Sequence, residues 1–151
     1  MAEVLRYVIN ASVVTKWFLR DEEFAPEALS VYRDFRDGRI DLLAPRHMEL
    51  EVANAVIKAE RRGRISNSDL MGAMSDIPDL GITLLDNPSL ERANYYTQWL
   101  GCSLYDSLFV ATSLRAQLPM LSADFRLRNA SRDKFIFYLW IEDYQKAEPR
   151  L

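Results

Sequence analysis

One short stretch constrains the fold of this chain more than any other. In RYVINASVVTK, Arg6 to Lys16, the β-rich run Tyr7, Val8 and Ile9 stops at the polar pair Asn10 and Ser12. Val13, Val14, Trp17 and Phe18 then return at helical spacing. This is a strand feeding directly into a helix, the repeating unit of an open α/β sheet. In such sheets the carboxyl ends of the strands face the ligand crevice, so Asn10 and Ser12 are candidates to line a site.

The alternation continues along the chain. An acidic break at Asp21 to Glu23 precedes an amphipathic segment from Phe24 to Phe35, closed by Asp37-Gly38. Ile40 to Ala44 reads as a second strand stopped by Pro45, and a helix from about His47 to Arg61 follows. Met48, Val52, Ala55, Val56 and Ala59 form its apolar stripe, widened by Leu50, Ala53 and Ile57. Gly63 ends it beside a basic cluster. Ser66 or Asn67 can cap the next helix, which runs to about Ile77 before Pro78 and Gly81. Ile82 to Leu85 is a short strand, and Pro88 opens a helix reaching Leu100, whose Tyr95, Tyr96 and Trp99 suit either the sheet or a partner. Leu104 to Leu118 is helical, Met120 to Ser122 a strand, the segment to about Asn129 helical, and Phe135 to Ile141 the last strand. The expected architecture is a three-layer α/β sandwich with a mainly parallel central sheet.

At 151 residues the chain suits one domain, 1–151, with its own core. Apolar residues make up 49% of it and there are only 5 Gly and 6 Pro, which argues for a packed rather than a disordered chain. It contains neither an apolar run approaching the ~20 residues of a membrane span nor a leader-like N-terminus, so a cytoplasmic location is expected. One cysteine, Cys102, excludes an internal disulfide, and one histidine, His47, excludes a His-rich metal site. No nucleophile elbow accompanies His47, which argues against a Ser-His-Asp triad. The net charge of -3 permits a polyanionic partner without indicating one, because bound cations can invert the field of an acidic pocket.

Four polar positions stand out from this frame. Asp106 is flanked by Leu104, Tyr105, Leu108, Phe109, Val110 and Ala111, and a buried carboxylate needs a base, a hydrogen-bond network or a metal. Capping the first turn of its helix is the structural alternative. Glu51 heads a polar strip with Asn54 and Lys58, one and two turns on, which also reads as an ordinary surface arrangement. Glu49 is its weaker neighbour, with nothing polar three residues on. Asp124 follows a strand directly, as Asn10 does, and can also cap the helix after it. If Asn10, Glu51, Asp106 and Asp124 converge, their oxygens suit Mg²⁺ or Mn²⁺ better than Zn²⁺.

The segments YVINASVVTKWFL, APRHMELEVANAV and LYDSLFVATSLRAQLPMLSAD, in that order, resemble the PIN-domain ribonucleases, especially the single-domain VapC toxins of toxin-antitoxin systems. The resemblance covers almost the whole chain. It assigns the family's four acidic positions to Asn10, Glu51, Asp106 and Asp124, and its accompanying hydroxyl to Ser12. The departure is Asn10, where the family has aspartate. An amide offers a neutral oxygen and removes a full charge from a hard-cation site.

What the resemblance implies is a Mg²⁺- or Mn²⁺-dependent endoribonuclease leaving a 5′-phosphate and a 3′-hydroxyl, its ion held by Glu51, Asp106, Asp124 and Asn10. A homodimer and a small antitoxin protein are the implied partners besides RNA. The alternative is a catalytically silent module that keeps RNA- or protein-interaction surfaces. Arg61, Arg62 and Arg64, with Lys58 nearby, are the candidate RNA-guiding cations, their other reading being a solvated helix end.

Overall fold

A computed structural model describes residues 4–144, so the two ends of the expected 1–151 domain lie outside the described residues. Five strands run Leu5–Ile9 (β1), Ile40–Pro45 (β2), Thr83–Leu85 (β3), Met120–Ser122 (β4) and Tyr138–Trp140 (β5). They form one sheet in the order β3-β2-β1-β4-β5, every neighbouring pair parallel. Helices α1 (Ala11–Phe18), α2 (Ala25–Arg36), α3 (Met48–Arg61), α4 (Asn67–Asp76), α5 (Leu90–Leu100), α6 (Leu104–Ala116), α7 (Phe125–Ser131) and α8 (Ile141–Tyr144) connect and cover it. This is the α/β sandwich with a parallel sheet that the alternating pattern predicts. No described helix is long and apolar enough to cross a membrane.

Strand β1 is the axis of the sheet. Its Tyr7 and Val8 pair with Leu42 and Leu43 of β2, while Val8 and Ile9 pair with Met120 and Leu121 of β4. Flanked on both sides, it reads as a continuous apolar run, as buried parallel strands do. From β1 the chain moves outward through β2 to β3, then returns to place β4 on the other side of β1. The strand order therefore reverses between β1 and β4, and at such a point the connections diverge to leave a crevice beyond the strand ends.

Helix α6 packs against β1, β2 and β4 and is buried on all sides from Ser107 to Ser113. A helix this enclosed must satisfy its polar side chains locally. Thr112 donates to the Leu108 carbonyl at 2.8 Å, and Ser113 to the Leu118 carbonyl. Because α6 leads directly into β4, its first turn lies at the end of the sheet where β1 and β4 finish.

Four sequence expectations are corrected. Ser89, not Pro88, begins α5, its side chain accepting the Arg92 N–H at 3.2 Å, so Pro88 precedes the helix. Gln117 adopts a left-handed φ of 56° and ends α6 before Leu118. The last strand is only Tyr138–Trp140: Phe135 is buried as a turn residue whose N–H still donates to the Ser131 carbonyl, and Ile141 already starts a helix. Leu50 is 74% exposed and does not widen the packed stripe of α3.

Phe109 is fully buried at the centre of α6. Phe109→Ala should cost ~3–5 kcal/mol, the usual range for deleting a buried aromatic ring. Urea unfolding measures this directly, and a loss under ~1 kcal/mol would contradict the packing described.

Candidate functional site

The crevice is built from four helix starts, those of α1, α3, α6 and α7. Asn10 is the N-cap of α1: its Oδ1 accepts the Ser12 N–H at 3.0 Å, satisfying one of the donors a helix start leaves open. The residue is buried, and its Nδ2 has no hydrogen-bond partner among the described residues. Ser12 acts as a cross-tie. Its Oγ accepts the Ala123 N–H at 2.9 Å and lies 3.5 Å from the Ser122 Oγ, which in turn accepts the Asp124 N–H at 3.1 Å. The end of β1 is thereby stitched to the loop that carries Asp124.

Asp124 caps α7, its Oδ1 accepting the Leu127 N–H at 3.0 Å, and its carbonyl accepts the Tyr138 hydroxyl at 3.0 Å. The next residue, Phe125, packs into a cluster with Phe24 and Trp140, which Arg128 covers at 4.5 Å from the ring centroid. These contacts fix where the aspartate stands. Its capping role is real and occupies one carboxylate oxygen, so the two sequence readings of Asp124 are compatible.

Asp106 lies in the first turn of α6, where the Ser103 hydroxyl caps its backbone N–H at 3.1 Å. Burial pushes its carboxyl up to about 6, with further upward pushes from the charges of Asp124 and Glu51 and a smaller opposing effect of His47. Two carboxylates distant in sequence thus act on Asp106. The same field, after burial, holds the neighbouring Cys102 thiol up at about 11, which keeps it protonated and argues against a thiolate nucleophile.

Glu51 is half-buried in the first turn of α3 and its Oε1 lies 2.9 Å from His47 Nε2. The pair is at ion-pair distance but misaligned for a hydrogen bond, so both ring nitrogens of the buried His47 and that oxygen lack hydrogen-bond partners among the described residues. The ring is wedged between Phe109 at 4.7 Å and Tyr105 at 6.1 Å. Sequence reasoning passed over His47 as a lone histidine, although its place four residues before Glu51 on the same helix was a usable signal. Tyr105 was also misjudged: it is 59% exposed rather than part of an apolar wall around Asp106.

The all-oxygen donor set and the crowding of negative charge fit a hard dication. The ligands are not drawn together in advance. Among the described residues no group of three or more His, Cys, Asp and Glu side chains is assembled to hold an ion. Glu51 is turned to His47, Asp124 uses one oxygen as a cap, and the Asn10 oxygen is engaged by Ser12.

The basic residues divide. Arg64 forms ion pairs with Asp21 at 2.8 Å and Glu22 at 3.2 Å, tying the turn after α3 to the turn after α1, and Lys16 joins at 3.3 Å from Glu22. These pairs commit Arg64 to holding the fold. Lys58, Arg61 and Arg62 are exposed, and Lys58 lines a groove that also contains Glu51.

Asp106 makes the native state sensitive to pH in the absence of metal. Between its ordinary value of 3.8 and its native value of about 6, the unfolded chain releases the proton first, so native stability falls as pH rises through that window. Asp106→Asn removes this loss. In EDTA, the stability advantage of the variant over the parent should grow from about pH 4 to about pH 7, and parallel profiles would contradict the shift.

No protein-family model matches the chain, and no curated protein matches it at a significant level. Among solved structures, the crystal structure of PAE2754 from Pyrobaculum aerophilum is similar with a TM-score of 0.70 and 17% sequence identity, over 93% of this chain and 87% of that one. At this identity the likeness is one of fold, an α/β sandwich with a parallel sheet, consistent with a PIN-like architecture.

Proposed function

We propose that this chain is a Mg²⁺- or Mn²⁺-dependent endoribonuclease of the PIN type, a VapC-like toxin whose turnover is reduced by Asn10. The observation that carries the reading is the action of the Asp124 and Glu51 charges on the half-buried Asp106 carboxyl at the point where the strand order reverses. Half-burying three like charges near one another is costly unless a cation offsets it.

Glu51, Asp106 and Asp124 would hold the ion, with Asn10 offering the remaining lone pair of its oxygen. A dication so bound lowers the pKa of water and stabilises charge developing on phosphoryl oxygens. The protein's own residues set the geometry. Ser12 and Ser122 fix the loop bearing Asp124, Ser103 fixes the turn bearing Asp106, and His47 holds Glu51 until a ligand competes for it. Lys58, with Arg61 and Arg62 further along α3, supplies positive charge for the RNA backbone. A homodimer and a small antitoxin protein in the cytoplasm complete this reading.

A second reading, a silent PIN-like module that binds RNA or protein without cutting, is favoured by one observation. The Asn10 oxygen already serves as a helix cap, and the residue brings no charge to the crevice.

Asn10→Asp separates the two, because aspartate caps a helix as well as asparagine and the change isolates the charge. The nuclease reading expects Mn²⁺ affinity, measured calorimetrically, to rise on the order of tenfold. It also expects metal-dependent cleavage of a mixed RNA pool to increase, with Asp124→Asn abolishing both while preserving the fold. Activity that appears only in the aspartate variant would mark a silenced nuclease. Absence of cleavage in both proteins across metals would leave the interaction reading.

A further inference from the structure

A groove of about 560 Å³ opens beside the acidic crevice, lined along α3 by His47, Leu50, Glu51, Asn54 and Lys58 and closed by Tyr105 of α6. Two features set it apart from an ordinary surface hollow. Leu50 and Tyr105 are 74% and 59% exposed, and they stand on different helices facing the same space. His47, 7% exposed, lines it with Nε2 held 2.9 Å from Glu51 and Nδ1 without a hydrogen-bond partner among the described residues. Exposed apolar area gathered next to unsatisfied polar groups is the composition of a ligand site.

The charge pattern indicates what fills it. Glu51, Asn54 and Lys58 follow one another at three- and four-residue steps, so they share one face of α3, and Arg62 follows four residues later as its C-cap. Lys58 lies roughly 10 Å along the helix axis from Glu51 by the rise of 1.5 Å per residue, and Arg62 a further turn on. A polyanion with one phosphate at the acidic crevice would therefore pass an aromatic ring and an amide before meeting these cations. The Tyr105 ring stacks on His47 at 6.1 Å, and His47 lies 2.9 Å from Glu51, which places the ring one side chain away from the acidic crevice. A protein segment would use the apolar surface but would leave the row of cations without a counterpart.

We propose that this groove is a nucleobase subsite of the nuclease. A base next to the scissile phosphate stacks on Tyr105 and against Leu50, Asn54 meets its polar edge, and Lys58 contacts the following phosphate. This rests on the functional reading above and adds what that reading lacks: residues that position the strand and select an unpaired nucleotide. A base must leave a duplex to lie on an aromatic side chain, so the subsite favours single strands.

The test uses the full chain in Mg²⁺ and in EDTA, with a single-stranded oligoribonucleotide carrying 2-aminopurine, whose fluorescence is quenched on stacking, and with the same strand annealed to its complement. Removing one base-stacking contact costs ~1–3 kcal/mol, so Tyr105→Ala should weaken single-strand binding by roughly 5- to 150-fold and abolish the quench. Tyr105→Phe should retain both. Lys58→Ala should lower the salt dependence of binding by about one counterion without affecting the quench. Tyr105 is exposed, so the variants should melt like the parent.

If the parent binds the strand and Tyr105→Ala binds it equally well, the subsite is overturned while the nuclease reading stands. That outcome includes a groove that serves a protein partner instead. Equal affinity for duplex and single strand, unaffected by Tyr105, overturns it in the same way. A parent that binds no RNA under either condition overturns the functional reading and the subsite with it.

Discussion

The structure depends on β1 being paired in parallel on both edges. A central strand with helices packed over both faces must be apolar on both where it is buried, and the chain must leave it through a turn at the sheet's end. Tyr7, Val8 and Ile9 meet the first requirement and Asn10 the second. Since β2 and β4 flank β1 while β3 lies beyond β2, the crossovers part above β1 and β4. The crevice follows from topology before any side chain is considered.

Chemistry at that crevice then follows from how helix starts are satisfied. Asn10, Ser103 and Asp124 each accept an open backbone N–H on a side-chain oxygen, and these caps hold the starts of α1, α6 and α7 at the same edge. Capping and function are therefore not competing explanations of the polar residues here. The caps fix the positions, and the Asp106 and Asp124 carboxylates, with Glu51 brought in by α3, supply the charge. Burial raises the Asp106 carboxyl most, and the charges of Asp124 and Glu51 raise it further.

Much of this was legible in the sequence because β1 to β4 are each a short apolar run that meets a polar residue. Helix ends were less so. Pro88 looked like the first residue of α5, but the Ser89 hydroxyl supplies the cap, and the sequence does not rank the two. Phe135 and Phe137 looked like strand residues, yet Phe135 fills the core from a turn that continues the end of α7. At the site, the four polar positions were visible as charges that apolar helices and strand ends do not otherwise need. His47 and Tyr105 were not, because their roles depend on which faces of α3 and α6 meet, a tertiary fact that no local pattern encodes. Arg64 failed for the same reason: its partners, Asp21 and Glu22, are more than forty residues away.

The central claim is that carboxylates far apart in the chain share one electrostatic site. Carbon-13 NMR titration of the Asp106 side-chain carboxyl tests it directly, in EDTA, on the parent and on Glu51→Gln and Asp124→Asn. The account predicts a midpoint of about 6 in the parent that moves down in both variants, further in Asp124→Asn. A midpoint at the ordinary 3.8, unmoved by either substitution, would contradict it.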